Sequence, residues 1–128
     1  MQLNEGYLTM EDGVRLFFRQ TGSGPVVLLP NGFHLFDDFQ HFAATHTLVF
    51  YDVRNRGRSD RATDAATMGV LQDAADLDAV RRHFGVSQVA VIAHSYVGII
   101  ATLYAMKHAE HVSRVVQIGP MPPNIARQ

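Results

Sequence analysis

The sequence contains no cysteine and no tryptophan, and Lys107 is its single lysine against ten arginines. Without cysteine there are no disulfides, no thiolate metal sites and no Cys nucleophile. No excess of either charge is present: eleven basic residues oppose twelve acidic ones, for a net charge of −1. Neither nucleic acid nor an anionic membrane surface is therefore an expected partner. No run approaches the roughly 18 consecutive apolar residues of a membrane-spanning helix. The N-terminus, "MQLNEGYLTMEDG", lacks a basic segment followed by an apolar one, so no signal peptide is expected and a cytoplasmic location is. No His pair stands in a convincing metal-ligand context, and neither metal nor cofactor is expected.

What is present is ordinary for a globular chain: 128 residues, 47% hydrophobic and 18% charged. One domain accounts for this length. "YLTM" and "VRLFFRQ" flank Asp12-Gly13, a two-residue hairpin signal. "VVLLP" and "HTLVFYD" are short continuous apolar runs, as in strands of a parallel sheet covered on both faces. "FDDFQHFAAT" between them reads as a short helix. From Thr67 to Phe84, Val70, Ala74, Leu77, Val80 and Phe84 recur at helical spacing. Asp78 and Arg82 form an i,i+4 pair on its outside, and Gly85 stands where a C-terminal cap belongs. "QVAVIAH", a helix from Ser95 to about His108, and "VSRVVQIG" complete the pattern, with "PMPPNIARQ" leaving the last strand. A hairpin followed by β-α-β-α-β-α-β predicts an α/β fold: a mostly parallel sheet with helices on both faces.

Ligands of such a sheet bind outside the carboxyl ends of its strands. Three segments carry unusual residues there. In Ala93-His94-Ser95-Tyr96-Val97-Gly98 a strand reverses into a helix at a serine. Such a reversal strains the serine backbone, demands small neighbours and presents the hydroxyl above the helix N-terminus. Two readings compete, a helix N-cap and a nucleophile elbow, and the strand-to-helix placement favours the elbow. In Pro30-Asn31-Gly32-Phe33 the glycine lets a loop fold over the sheet so that a backbone N–H meets a developing oxyanion. The candidate donors are the N–H groups of Phe33 and Tyr96; an ordinary Asn-Gly turn is the plain alternative. In "YDVRNRGRSD", Asp52 with Arg54, Arg56 and Arg58 can form an anion site, but a loop braced by Asp–Arg and Asp–backbone bonds is the favoured reading.

Together these segments resemble the N-terminal half of the α/β-hydrolase fold family. Hairpin, "LLPNGF", "VFYDVRNRGRSD" and "AHSYVG" stand in the family's order and spacing over about residues 7 to 120. The wording is most similar to the proline-iminopeptidase-like and esterase-like serine hydrolases. The resemblance implies Ser95 as nucleophile toward a small acyl substrate, Phe33 and Tyr96 as oxyanion donors, and Asn31, Gly32, His94 and Gly98 in support. It is departed from at Asn31, where the family usually has His, and at Val97, where it usually has Gly, so that crowding at the elbow is expected.

A serine hydroxyl also needs a base and a group to orient it. After Ser95 the sequence offers Glu110, His108 and His111, at the far end of the same helix and roughly 20 Å away at 1.5 Å per residue. His94 should point away from Ser95. His34, in the oxyanion loop, is the remaining in-chain candidate base. His41, His46 and His83 read as structural or surface residues. The helix after Ser95 is apolar all round, and "RVVQIG" would be an apolar edge strand with one charge. These signs lead to the expectation that residues 1–128 are the N-terminal part of a single larger domain. Its C-terminal strands, cap, acid and catalytic His would lie elsewhere, and otherwise the exposed edge would self-associate. Two functions remain open: a serine hydrolase completed by that segment, or a non-catalytic binding module that keeps the elbow as architecture. A cofactor-free enzyme with other chemistry has no residue in its favour.

Overall fold

A computed structural model of the chain describes residues 3–119. The chain runs β1 (Leu3–Thr9), β2 (Arg15–Gly22), β3 (Val26–Pro30), α1 (Phe36–Phe39), β4 (Thr47–Tyr51), α2 (Val70–His83), β5 (Val89–His94), α3 (Val97–Lys107) and β6 (Val112–Ile118). The six strands form one sheet in the order β1-β2-β4-β3-β5-β6. β1, β2 and β4 pair antiparallel, whereas β4, β3, β5 and β6 are parallel. The predicted α/β architecture is thus the observed one.

Strands β3 and β4 are buried at every position, which is why they read as unbroken apolar runs. Alternate residues feed two cores. Leu28, Val49, Tyr51, Val91 and Ala93 join Ala74, Leu77, Val80, Ile100 and Tyr104 under α2 and α3. On the other face Val27, Leu29, Leu48 and Phe50 pack with Phe36 and Phe39 of α1. The connection after β3 leads to β4 on one side, and the connection after β4 returns past β3 to β5 on the other. The order therefore reverses beside β3, and the carboxyl ends of β3 and β5 border the crevice so created.

Several element boundaries differ from expectation for local reasons. The hairpin loop has three residues, Glu11 to Gly13: the Met10 N–H donates to Val14 O (2.8 Å) and the Gly13 N–H to Met10 O (2.9 Å). A two-residue turn on Asp12-Gly13 would need positive φ at both, and here Gly13 has it (90°) while Asp12 does not. The "FDDFQHFAAT" helix is one turn of α1 continued as a 3-10 segment over Gln40–Ala44. The helix expected from Thr67 begins at Val70, after a separate 3-10 turn over Ala65–Thr67. The Gly85 cap is present, with φ 69°. Asp78 does pair with Arg82 at 3.3 Å, but it is not an outside residue: it also binds Arg81 and accepts from the Tyr104 hydroxyl at 2.7 Å. The "PMPPNIARQ" tail, residues 120–128, lies outside the described residues. No helix among the described residues is long and apolar enough to cross a membrane.

Candidate active site

β5 ends at His94 and α3 starts at Val97, so two residues make the reversal. Ser95 has φ 56°, in the left-handed region, which costs a non-glycine residue about 1–2 kcal/mol. Its backbone is held on both sides: its N–H donates to Ile118 O on β6 (2.9 Å), and its carbonyl accepts from the Gly98 N–H (3.0 Å). The residue at the helix N-cap is Tyr96, with no side-chain cap bond, so the Ser95 hydroxyl does not serve as the cap. Among the described residues that hydroxyl has no hydrogen-bond partner, and the residue is half-buried. A Cβ at Gly98 would stand 3.2 Å from Oε1 of Gln117 on β6, a tight approach to which the Gln117 side chain would have to yield. Val97, where crowding was expected, is accommodated: its side chain is 5% exposed within the main core, and the chain still reverses at Ser95.

The loop after β3 is tied down by Asn31. That residue has φ 52°, a conformation asparagine tolerates. Its N–H donates to Tyr51 O (2.7 Å) and its Oδ1 accepts from the Val53 N–H (2.9 Å), joining the ends of β3 and β4. Gly32 turns tightly over Leu29, where a Cβ would stand 2.7 Å from the Leu29 Cβ. Phe33 then opens a 3-10 turn over Phe33–Leu35, its ring packed against Phe17 and Phe50. Neither the Phe33 nor the Tyr96 N–H has an acceptor among the described residues; both stand at the start of a helical turn, where N–H groups are left over.

The two segments meet through histidines. The His34 and His94 rings lie edge to face with centroids 4.8 Å apart, so the oxyanion-type loop and the elbow are neighbours. His94 faces the α1 side of β5, opposite the buried Ala93, and is turned to His34. Neither ring hydrogen-bonds to Ser95 among the described residues. His108 packs on Tyr104 and His111 donates to Ser87 O at the far end of α3. Among the described residues no three His, Cys, Asp or Glu side chains are grouped to hold a metal ion.

The loop after β4 is braced, as favoured from the sequence, at Asp52 and Arg54. The Arg54 guanidinium is buried, binding Asp76 of α2 through Nε (2.6 Å) and Asp12 of the hairpin through Nη1 (2.7 Å). Asp52 Oδ2 accepts from the Arg58 N–H (2.9 Å) and lies against Gly57, where a Cβ would clash with the carboxylate. Arg56 and Arg58 behave differently. Both are exposed, and among the described residues no carboxylate is within ion-pair distance of either. The Arg56 guanidinium lies over the Tyr96 ring, 4.9 Å from its centroid, and that of Arg58 over Phe17 at 4.6 Å.

Sequence reasoning missed the polar groups beneath. Asp73 and Asp76 both face inward from α2. Burial, and then the neighbouring Asp76, push the Asp73 carboxyl up to about 6. The Tyr51 hydroxyl is buried without a partner among the described residues, and burial raises its pKa well above the usual range. A visible signal existed: two aspartates at helical spacing among Ala74, Leu77 and Val80 must be paired or neutralised.

A family model described as "alpha/beta hydrolase fold" matches residues 25–128. The non-heme haloperoxidase of Rhodococcus erythropolis is 30% identical over 124 residues, covering 91% of this chain and 44% of that protein. Bifunctional epoxide hydrolase 2 of Rattus norvegicus is 25% identical over 130 residues, covering 95% of this chain and 24% of that one. The crystal structure of a proline iminopeptidase-related protein from Thermus thermophilus superposes with a TM-score of 0.85 at 19% identity, covering 94% of this chain and 45% of that one. The chain spans less than half the length of each.

Proposed function

Because the chain belongs to the alpha/beta hydrolase fold family, we propose that it carries the nucleophile and oxyanion elements of a serine hydrolase acting on an ester or amide through an acyl-Ser95 intermediate. The relatives are named for different reactions, so the reading rests on the residue at the elbow. The observation that carries it is the Ser95 hydroxyl, without a hydrogen-bond partner among the described residues, on a left-handed backbone beside the β3 loop. Its Oγ attacks the acyl carbonyl carbon while a base takes its proton. The negative charge on the carbonyl oxygen is met by the Phe33 and Tyr96 N–H groups, each such donor typically accounting for about 10²–10³ in rate. The leaving group departs with the proton, and water then hydrolyses the acyl ester to regenerate Ser95.

No imidazole among the described residues hydrogen-bonds to Ser95. In this fold the acid and then the His follow the nucleophile in the chain, and here both are proposed to come from polypeptide beyond the described residues. The 128-residue chain alone should turn over p-nitrophenyl acetate no faster than its Ser95→Ala variant. Supplied with a segment carrying the acid and His, it should show a burst of p-nitrophenol that Ser95→Ala abolishes. A completed enzyme that keeps its rate as Ser95→Ala would sink the proposal. If the chain alone shows Ser95-dependent turnover, His34 is the base, and His34→Ala should remove it. The pairing of His34 with His94 rather than with Ser95 favours the second reading, a non-catalytic module that binds a small ligand over the elbow. Saturable binding with no burst in the completed protein would decide for it.

A further inference from the structure

The charges of "YDVRNRGRSD" brace the loop at Arg54 and Asp52, but not at Arg56. Arg56 is held by its backbone: its N–H donates to Val53 O (3.2 Å) and its carbonyl accepts from the Ser59 N–H (3.0 Å). The side chain beyond is exposed and lies over the ring of Tyr96. Tyr96 is the residue whose N–H faces the proposed oxyanion, immediately after Ser95.

Most acidic groups of this loop and of the elements it touches are engaged by other residues. Asp76 and Asp12 are taken by Arg54. Asp60 is paired with Arg15 (2.9 Å), and Asp52 is occupied by the Arg58 N–H. Asp73 feels the field of Arg56 but makes no ion pair with it. A guanidinium stacked on an aromatic face keeps its N–H edges free for a planar anion, and part of its ordering entropy is already spent. Arg58, over Phe17, adds a second positive charge with no ion pair among the described residues, and Phe17 in turn packs on Phe33.

We propose that Arg56 is a specificity-determining residue of the Ser95 site, selecting acyl substrates that bear a carboxylate on the acyl chain. The inference rests on the serine-site reading above and names its substrate class. With the carbonyl oxygen at the Tyr96 N–H, a carboxylate a few carbons along the acyl chain lies toward the guanidinium over the Tyr96 ring. A charge-assisted bidentate bond there is worth more than contact with a neutral ester end, and a neutral substrate leaves the Arg56 charge unmatched.

Binding tests this without turnover. The full chain as Ser95→Ala is titrated with monoethyl glutarate, an anion, and with diethyl glutarate, its neutral counterpart, following amide resonances by NMR. The anion should bind about tenfold more tightly, shifting the amides of Phe33 and Tyr96. Arg56→Gln should erase the preference, and Arg56→Lys should keep part of it. Circular dichroism checks that each variant is folded. Equal binding of the two esters, a preference that survives Arg56→Gln, or shifts confined to residues away from Phe33 and Tyr96 would each overturn the proposal. A completed enzyme that never turns over would defeat the hydrolase reading instead, and leaves an Arg56-dependent preference standing as the specificity of a binding site.

Discussion

At the scale of single residues, the candidate site carries backbone strain at two positions. Ser95 and Asn31 both sit at positive φ, 56° and 52°, on either side of the crevice. Glycine would relax either backbone, but Asn31 uses its side chain to accept from the Val53 N–H, and on the proposed reading Ser95 supplies a hydroxyl. On the serine-hydrolase reading proposed above, stability and function are opposed at Ser95. Ser95→Gly should raise the unfolding free energy by about 1 kcal/mol, whereas Ser95→Ala, which keeps a Cβ in the same conformation, should leave it nearly unchanged. Urea unfolding of the three proteins measures this. An equal response of both variants would mean that the serine is not strained.

At the scale of elements, α2 carries an unusual inner face. Two of its aspartates, Asp73 and Asp76, are buried among core residues, and of these only Asp76 has a side-chain partner among the described residues, Arg54 from the loop after β4 and Gln72 one turn before it. Asp73 is 5% exposed and its carboxyl is pushed up to about 6, first by burial and then by Asp76. A carboxyl whose folded pKa lies above its unfolded value near 4 binds more protons in the folded state between those two values. Its contribution therefore weakens the fold as pH rises, reaching its full cost above about 6 and vanishing below about 4. Asp73→Asn should stabilise the protein by about 2 kcal/mol at neutral pH and by little at the acid end of that window. Asp12, Asp60 and Asp78, whose pKa values are lowered by their arginine and tyrosine partners, act in the opposite sense. The test is accordingly the difference between wild type and Asp73→Asn across the pH range, and a constant difference would refute the burial argument.

At the scale of the molecule, the sheet is well closed at neither end, and its β6 end is the more apolar. Among the described residues β6 is paired on one side only, and its Val116 is 40% exposed. An open groove of about 640 Å³ beside it is lined by Phe39, Phe42, Ala90, Ile92 and Val116. On the other face of the sheet Ile99 and Met106 of α3 are exposed. An apolar edge with unpaired N–H and C=O groups is a template for another strand. The 128-residue chain should therefore sediment as more than a 14.2 kDa species at roughly tens of micromolar. Val116→Lys, a charge on the edge, should shift it toward monomer while leaving unfolding of the upstream strands nearly unchanged. A clean monomer for the unaltered chain would show that this edge is inert.

The sequence by itself determined the strands, the main helices and their order, and it singled out the candidate site. Apolar runs, helical spacing and the Ser95 and Asn31-Gly32 punctuation are local signals, set by pleat, helix period and backbone sterics. Its limits were also local. It misplaced the hairpin loop by one residue, because a two-residue and a three-residue turn share the same Asp-Gly. It treated the arginines after β4 as one group, although neighbours in sequence point to different surroundings. Only the tertiary structure decided that Arg54 would find Asp76, 22 residues on, while Arg56 lies over Tyr96. The reversal of strand order beside β3 made that choice. It carries the β4 loop, the β3 loop and the elbow to one crevice, and no periodicity along the chain encodes contacts between segments so far apart.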